Sequence, residues 1–349
     1  MAKITKKERF FITGGMGYIG TVFAREALKK GHDVCLYDSL IYEQNPTRIL
    51  KEISKKDKNS QLKFIIGDTR NKKLLISSLK DFKPTYVLHF GELSSVYACN
   101  HNPTLTENIN YKTSKQVLDI CENLSLKVLY NSTSSVYGTQ EESKLMKEED
   151  VLPEPTDYYC RYKLQMEDYI KNKIKKNKNF EIIIFRPATV FGLSPRFRIE
   201  LLPNHFTYMA VSKKNIPLSG LDSYRAAIGV DELVDGYFRV IEKGNWKYLL
   251  YNIGHHNINK RQFALGVKSV VPCKISITPG IGDLRNLQID CSRFNKEFDF
   301  KPSISYEESI GKVAKWIKAN LNYIENNNFA ELLNMPIDKW RQICGQQKI

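Results

Sequence analysis

The sequence predicts an α/β fold, in which helices cover both faces of a doubly wound parallel sheet. Three observations support it: a glycine-rich turn near the start of the chain, short apolar runs that alternate with helical patterns, and polar residues where those runs end. Strands that alternate with helices imply parallel pairing and right-handed crossovers. Ligands bind such sheets at the carboxyl ends of the strands.

The glycine-rich turn reads TGGMGYIG and carries Gly14, Gly17 and Gly20 between the first apolar run and an amphipathic helix pattern. Glycine permits the tight turn, lets a phosphate approach the main chain, and lets the helix lie close to the strand. The helix N-terminus then suits a pyrophosphate. The turn therefore predicts a dinucleotide site, the alternative being an ordinary surface turn.

The second apolar run, Val34 to Tyr37, leads into Asp38. A carboxylate at this point can hydrogen-bond both ribose hydroxyls of NAD and repel the 2′-phosphate of NADP. The alternative is a turn residue at the end of a strand. The sequence therefore favours NAD as the cofactor.

Later runs continue the alternation and predict strands at Leu62–Ile66, Tyr86–Phe90 and Lys127–Asn131, with a helix over 104–123 before the last. That last strand ends in a hydroxyl-rich segment, Ser132 to Gly138, which we expect at the ligand-binding edge of the sheet. A further helix is predicted to begin near Asp157.

Tyr159 and Lys163 lie four residues apart in this helix and therefore share one face. A phenol has an ordinary pKa of about 10, and a nearby ammonium favours the phenolate. Lowering the pKa by roughly three units, about 4 kcal/mol, would make Tyr159 a general base near neutral pH. We therefore predict that Lys163 lowers the pKa of Tyr159.

The composition, 349 residues with 42% hydrophobic and 26% charged, is that of an ordinary globular chain. No apolar run approaches the roughly 18 residues of a membrane span, and the lysine-rich start lacks the apolar stretch of a signal peptide, so we expect a cytoplasmic protein without a membrane partner. The seven cysteines show no CxxC spacing and predict free thiols rather than a metal site. The net charge of +15 indicates either an anionic partner or compositional drift, and no nucleic-acid-binding motif accompanies it.

Together the motifs resemble those of the extended short-chain dehydrogenase/reductases, in particular the NAD-dependent epimerase/dehydratase family that acts on nucleotide sugars. The likeness spans about residues 8 to 320 and includes Thr133 to Gly138 as the S/T-x-x-VYG motif and Tyr159 with Lys163 as YxxxK. It implies a Rossmann-type NAD-binding domain at 1–185 with a returning segment near 226–254. It also implies a smaller α/β domain at 186–320, mainly for the nucleotide sugar, and a C-terminal helical tail at 321–349.

By this resemblance Thr133 and Tyr159 would bind the sugar hydroxyl, Tyr159 would remove its proton, and Lys163 would hold the nicotinamide ribose. Asp68 would meet the adenine, and Asn110 resembles a structural asparagine near the cofactor. The residues expected to bind NAD are Gly14, Gly17, Tyr18, Ile19, Gly20, Asp38, Ser39, Asp68, Thr69, Phe90, Gly91, Glu92, Ser94, Asn110, Tyr159, Lys163 and Pro187.

Arg225 and Arg285 resemble the two arginines with which the family grips the nucleotide diphosphate, the alternative for each being an exposed salt bridge. The residues expected to bind substrate are Thr133, Thr189, Asn204, Arg225 and Arg285. The segment that contains Ser194-Pro195-Arg196 is similar to one in enzymes that modify GDP-linked heptoses of surface polysaccharides. The expected partner is therefore a GDP- or UDP-linked sugar.

Three positions depart from the family pattern. Ser134 and Ser135 stand where 4,6-dehydratases carry Asp-Glu, which disfavours elimination of water and keeps a dehydratase only as an alternative. Thr189 replaces an asparagine of many 4-epimerases. Glu92 stands where a small residue is usual, either as a catalytic carboxylate or as a structural hydrogen-bond acceptor.

The resemblance therefore implies an enzyme, an NAD-dependent nucleotide-sugar epimerase or 4-dehydrogenase that oxidises the C4 hydroxyl. The alternative is a regulatory protein that binds NAD without turnover, against which the intact Thr133, Tyr159 and Lys163 argue. The family further implies a homodimer through the helices near 104–121 and 157–175.

Overall fold

The computed structural model describes residues 6–54, 60–140, 144–278, 285–325 and 333–334. The strands within them are β1 (Arg9–Thr13), β2 (Asp33–Asp38), β3 (Leu62–Ile66), β4 (Tyr86–His89), β5 (Lys127–Asn131), β6 (Leu145–Met146), β7 (Ile182–Pro187), β8 (Thr189–Phe191), β9 (Asn215–Leu218), β10 (Tyr224–Gly229), β11 (Leu250–Ile253), β12 (His256–Asn259), β13 (Lys274–Ile277) and β14 (Gln288–Ile289). The α-helices are α1 (Tyr18–Lys29), α2 (Pro46–Ile53), α3 (Lys72–Phe82), α4 (Val96–His101), α5 (Pro103–Thr106), α6 (Ser114–Asn123), α7 (Tyr158–Lys176), α8 (Leu202–Lys213), α9 (Val230–Lys243), α10 (Lys260–Val270), α11 (Ser292–Glu297), α12 (Tyr306–Ala319) and α13 (Leu321–Glu325). A 3₁₀ turn, Ser134–Tyr137, follows β5.

The main sheet has seven parallel strands in the order β3-β2-β1-β4-β5-β7-β11. The order reverses between β1 and β4, where open α/β sheets form a ligand crevice. This topology confirms the predicted doubly wound α/β fold. The strands are apolar because helices cover both faces, and every residue of β2 and β7 is buried.

Helices α1 and α9 cover one face of the main sheet, where the rings of Phe23 and Phe238 stack 4.7 Å apart. Helices α6 and α7 cover the other face and bury Val117, Met166 and Ile170 against β5 and β7. Both α9 and β11 come from the second half of the chain. That half therefore contributes to the main sheet and its helical layer as well as building its own core.

This second core lies among helices α8, α10 and α12, beside the three-stranded sheet β12-β10-β8. Strands β9 and β13 form a parallel pair, and so do β6 and β14. Most of the expected tail at 321–349 lies outside the described residues. Its residue Leu333 is buried in the second core.

The expected single helix over 104–123 is interrupted, and this prediction is corrected. Helix α5 gives way to a π-helical segment, Glu107–Thr113, before α6 begins. The wider turn lets Asn110 reach the loop after β4, where its side chain accepts a hydrogen bond from Leu93 N and donates one to Leu93 O, both at 2.8 Å. Ser114 Oγ correspondingly donates to Ile109 O, five residues back, at 3.2 Å.

Helix α7 begins as predicted, because the Asp157 carboxylate caps it by accepting a hydrogen bond from Cys160 N at 2.8 Å. The six cysteines of the described residues are free thiols. Among the described helices, none combines the length and the apolar character that crossing a bilayer requires.

Candidate active site

A cleft of about 600 Å³ opens at the carboxyl edge of the main sheet, between the glycine-rich turn and the segment that follows β7. Every residue predicted to bind NAD or substrate lines this cleft, except Asn110 and Asn204. The fold thus gathers at one edge a set of side chains that lie up to 271 positions apart, from Gly14 to Arg285.

The glycine-rich turn brings two loops into contact at the floor of the cleft. Gly14 has a φ of +65°, and a Cβ there would lie 2.6 Å from Phe90 O. A Cβ on Gly20 would lie 2.8 Å from Gly14 O, so only glycine lets α1 approach the turn this closely. No side chain caps the N-terminus of α1. Its N–H groups and positive dipole end are therefore available for an anion, and the cradle fits a pyrophosphate.

The two acidic residues predicted for adenosine recognition line the same wall. The buried Asp38 carboxylate accepts hydrogen bonds from Met16 N at 2.9 Å and Leu40 N at 2.8 Å. Burial raises the pKa of Asp38, while these two donors lower it. Asp38 keeps lone pairs for ribose hydroxyls, since a carboxylate has about four acceptor sites. A hydrogen-bonded ion pair with Arg70 lowers the pKa of Asp68.

Thr133, Tyr159 and Lys163 come together where β5 ends against α7. Thr133 begins the 3₁₀ turn, where its Oγ1 accepts a hydrogen bond from Ser135 N at 3.2 Å, and it also hydrogen-bonds Tyr159. The Lys163 Nζ lies 5.9 Å from the centroid of the Tyr159 ring. All three side chains line the cleft, so a hydroxyl held there would meet Thr133 and Tyr159 together.

Lys163 is held by two partners, the Glu92 carboxylate and the carbonyl oxygen of Asn131. Glu92 Oε1 also accepts hydrogen bonds from Ser114 Oγ at 2.7 Å and Tyr130 OH at 3.0 Å. The side chains of Glu92 and Lys163 are 3% and 5% exposed, so this ion pair is shielded from water.

His89 lies beside the same pair, with Nε2 3.7 Å from Glu92 Oε1. Its two ring nitrogens hydrogen-bond Thr13 Oγ1 at 2.6 Å and Ser114 Oγ at 2.9 Å. Burial lowers the pKa of His89 to about 4. The ring is therefore neutral near pH 7, and the charges at this point are those of Glu92 and Lys163.

The pKa of Tyr159 is raised in this arrangement, against the expected lowering. Burial raises the pKa of Tyr159, the hydrogen bond with Thr133 lowers it, and the thiols of Cys160 and Cys99 and the Glu92 carboxylate raise it further. Burial is the largest of these causes and outweighs the hydrogen bond that favours the phenolate. Tyr159 is therefore a weaker acid than an ordinary phenol.

Thr189, Arg225 and Arg285, which are predicted to bind substrate, also line the cleft. Arg225 is only 6% exposed, which contradicts the alternative of an exposed salt-bridge partner for this residue. Lys260 adds a further cation to the same wall and is also buried. This end of the cleft is cationic and suited to a diphosphate.

Asn204 does not line the cleft, and its expected contact with substrate is corrected. It is fully buried, accepts a hydrogen bond from Gly192 N at 3.0 Å, and donates one to Arg198 O at 2.9 Å. These two hydrogen bonds hold the segment after β8 on the side that faces away from the cleft. Asn110 likewise holds Leu93 from behind the cleft wall, the structural place expected for it.

The sequence analysis missed a polar group in the segment after β8. Arg198 Nε donates to Glu200 Oε1 at 2.6 Å and Arg198 Nη1 to Ser94 Oγ at 3.1 Å. Asn334 joins this group, because its Nδ2 donates to Ser94 Oγ at 3.2 Å and its Oδ1 accepts from Arg196 Nη2 at 2.8 Å. The segment containing these arginines was noted for its likeness, but no local pattern shows that they turn inward.

Comparison with known proteins gives a family and a fold. Residues 10–254 match the model of the NAD dependent epimerase/dehydratase family. A bifunctional UDP-glucose and UDP-xylose 4-epimerase of Pisum sativum is 22% identical over 91% of this chain and 97% of its own length. A GDP-6-deoxy-D-talose 4-dehydrogenase of Aggregatibacter actinomycetemcomitans is 31% identical over 48% of this chain and 55% of its own length.

Among solved structures, a UDP-glucose 4-epimerase of Bifidobacterium longum, in complex with NAD⁺ and UDP, superposes with a TM-score of 0.78 at 23% identity. The match covers 90% of this chain and 99% of that one. These findings confirm the predicted fold and the predicted resemblance.

Proposed function

Because the chain belongs to the NAD-dependent epimerase/dehydratase family, we propose that it is a nucleotide-sugar 4-epimerase that oxidises and then reduces the sugar at C4. The observation that carries the proposal is the meeting of Thr133, Tyr159 and Lys163 in the cleft that the glycine-rich turn lines. NAD is the cofactor of this family and, when bound, supplies the acceptor for the hydride.

In the proposed site each group of the chain has one task. The N-terminus of α1 binds the pyrophosphate, Asp38 accepts hydrogen bonds from the ribose hydroxyls, and Lys163 fixes the second ribose. Thr133 orients the sugar hydroxyl, and Tyr159 in its phenolate form takes the proton from it. Because burial raises the pKa of Tyr159, the phenolate is a strong base once formed.

Arg225, Arg285 and Lys260 support a nucleotide diphosphate as the part of the substrate that does not react. Likeness to both UDP-sugar and GDP-sugar enzymes supports either base. A place in the synthesis of surface polysaccharide sugars, a cytoplasmic location and a homodimer through α5 to α6 and α7 stay predictions.

A 4-dehydrogenase is the second candidate, favoured by the 31% identity to the talose enzyme. In that case the ketone leaves and the reduced cofactor must be reoxidised elsewhere. A dehydratase is disfavoured, because hydroxyl groups rather than carboxylates follow Thr133: Ser135 lines the cleft and Ser134 is buried beneath it.

The test is absorbance at 340 nm of the purified protein with a panel of UDP-, GDP-, CDP- and dTDP-sugars, with mass analysis and NMR of the products. An isomerised sugar without a lasting NADH band is expected. A ketone released with stoichiometric NADH would establish the dehydrogenase instead. Bound NAD with no response to any sugar, in wild type and Tyr159→Phe alike, would contradict both and favour the regulatory alternative.

A further inference from the structure

Glu92 is the acidic side chain buried against the catalytic lysine. It follows β4 directly and reaches three other elements: Lys163 on α7, Ser114 at the start of α6 and Tyr130 on β5. Its side chain is 3% exposed, and it lines the cleft. Three donors from three different elements therefore hold this buried carboxylate in one position.

The backbone that carries Glu92 is fixed independently. Gly91 N donates to Thr13 Oγ1 at 3.3 Å. The side chain of Asn110 hydrogen-bonds both the N–H and the carbonyl oxygen of Leu93. The carboxylate therefore has little freedom to leave Lys163. Since Lys163 also donates to Asn131 O, its ammonium is held at one point of the cleft.

The charges around this point balance. The Glu92 carboxylate and the Lys163 ammonium form a pair, and His89 is neutral. Arg198, whose charge also acts on Tyr159, is paired with Glu200 at 2.6 Å. A site with an unpaired lysine would repel the cationic nicotinamide ring of the oxidised cofactor more than the neutral ring of the reduced one. The carboxylate removes that penalty.

We propose that Glu92 is a positioning residue that fixes Lys163 and balances its charge, so that the cleft binds the oxidised cofactor better, relative to the reduced one, than it would with an unpaired lysine. The inference rests on the proposed function, because a site that does not penalise the oxidised cofactor lets the reduced cofactor return its hydride to the ketone. This is what an epimerase requires at the end of each turnover.

The first test measures cofactor binding without any sugar. Protein is equilibrated with defined mixtures of NAD⁺ and NADH, and the bound ratio is read from absorbance and fluorescence. Glu92→Gln, which keeps the shape and the acceptor oxygen, should lower the preference for NAD⁺ about tenfold, the size of one unit charge acting over ~10 Å at an effective dielectric constant of ~20. Ser114→Ala, which removes a hydrogen bond to Glu92 but no charge, should leave the preference within twofold of wild type.

A second pair of variants keeps the test decisive if Glu92→Gln does not fold. Lys163→Met alone leaves the carboxylate unbalanced and should raise the preference for NAD⁺. Adding Glu92→Gln to it should restore the wild-type ratio within about threefold. Equal losses of affinity for NAD⁺ and NADH, or no change between the single and the double variant, would overturn the proposal and leave Glu92 a structural acceptor.

The dependence of kcat/KM on pH is a further test, because replacing a purely structural residue would not change it. The groups facing Tyr159 are Glu92, Lys163, Arg198, Cys99 and Cys160. Glu92 raises the pKa of Tyr159, so Glu92→Gln should shift the rising limb of kcat/KM against pH towards lower pH. If Glu92→Gln shifts the cofactor preference but the wild type turns over no sugar, the inference stands and the proposed function is rejected. If the wild type turns over a sugar but Glu92→Gln changes neither the cofactor preference nor the pH profile, the proposed function stands and the inference is rejected.

Discussion

The ion pair between Glu167 and Arg186 offers a quantitative test of what holds the catalytic helix in place. The side chains are 0% and 1% exposed, and two hydrogen bonds of 2.6 and 2.9 Å join them. Ser132 Oγ donates to the same carboxylate at 2.5 Å, and Arg186 also donates to Tyr137 OH at 2.9 Å. The pair thus ties α7 to β7 and to the segment that carries Thr133.

Glu167→Gln keeps the shape of the side chain but leaves the buried guanidinium without a counter-charge. Breaking a buried pair in this way costs about 3–5 kcal/mol, because the desolvation of the remaining charge is no longer compensated. The exposed pair Arg239–Asp235, with 35% and 53% side-chain exposure, is the matched control, and Asp235→Asn should cost about 0.5 kcal/mol.

The assay is urea unfolding at one fixed NAD concentration, since bound ligand adds to the free energy of unfolding. The double variant Glu167→Gln with Arg186→Met should recover at least ~2 kcal/mol, which the double-mutant cycle isolates as coupling. If Glu167→Gln costs no more than Asp235→Asn, or if the double variant shows no coupling, the pair does not hold α7 and the reasoning fails.

Four further outcomes follow from the site. Tyr159→Phe should leave NAD bound and abolish hydride transfer, and an unchanged rate of product formation by NMR would remove the mechanism. Turnover by the wild type should rise with pH above neutrality, because the raised pKa of Tyr159 delays formation of the phenolate; a flat profile from pH 6 to 10 would contradict this. Asp38→Ala should weaken NAD more than NADP, whereas equal losses by titration calorimetry would show that Asp38 does not read the 2′ position. Gly14→Ala should lower the melting temperature and the affinity for NAD, since its Cβ would lie 2.6 Å from Phe90 O, and a variant as stable as wild type would refute the close contact.

The features that the sequence predicted well are those encoded over a few residues. The strands Leu62–Ile66 and Lys127–Asn131, the helix start near Asp157 and the close-packed Gly14 and Gly20 depend on local backbone geometry, and the structure has each where it was expected. Thr133 follows the end of β5 and therefore lies at the cleft, because parallel strands share one carboxyl edge.

The features that were missed depend on residues far apart in the chain. Lys163 meets Glu92 across 71 positions, and Asn334 reaches Ser94 across 240. The helix over 104–123 was expected to be regular because its composition permits one, yet the bonds of Asn110 to Leu93 accompany a π-helical turn. Neither the hydrophobic periodicity nor the spacing of motifs predicts which distant residue a polar side chain contacts.

The corrected environment of Tyr159 separates two roles that the resemblance assigned to Lys163 together. An ammonium has three donors, and Glu92 and Asn131 O take two of them. The third remains for the cleft, where it can serve the predicted contact with a ribose. The lowered pKa expected for Tyr159 is absent, because the burial of its phenol outweighs the groups that favour the phenolate. Burial, more than any neighbouring charge, raises the pKa of Tyr159, and the Glu92 carboxylate adds to that rise, so the proposed base forms its phenolate only towards higher pH.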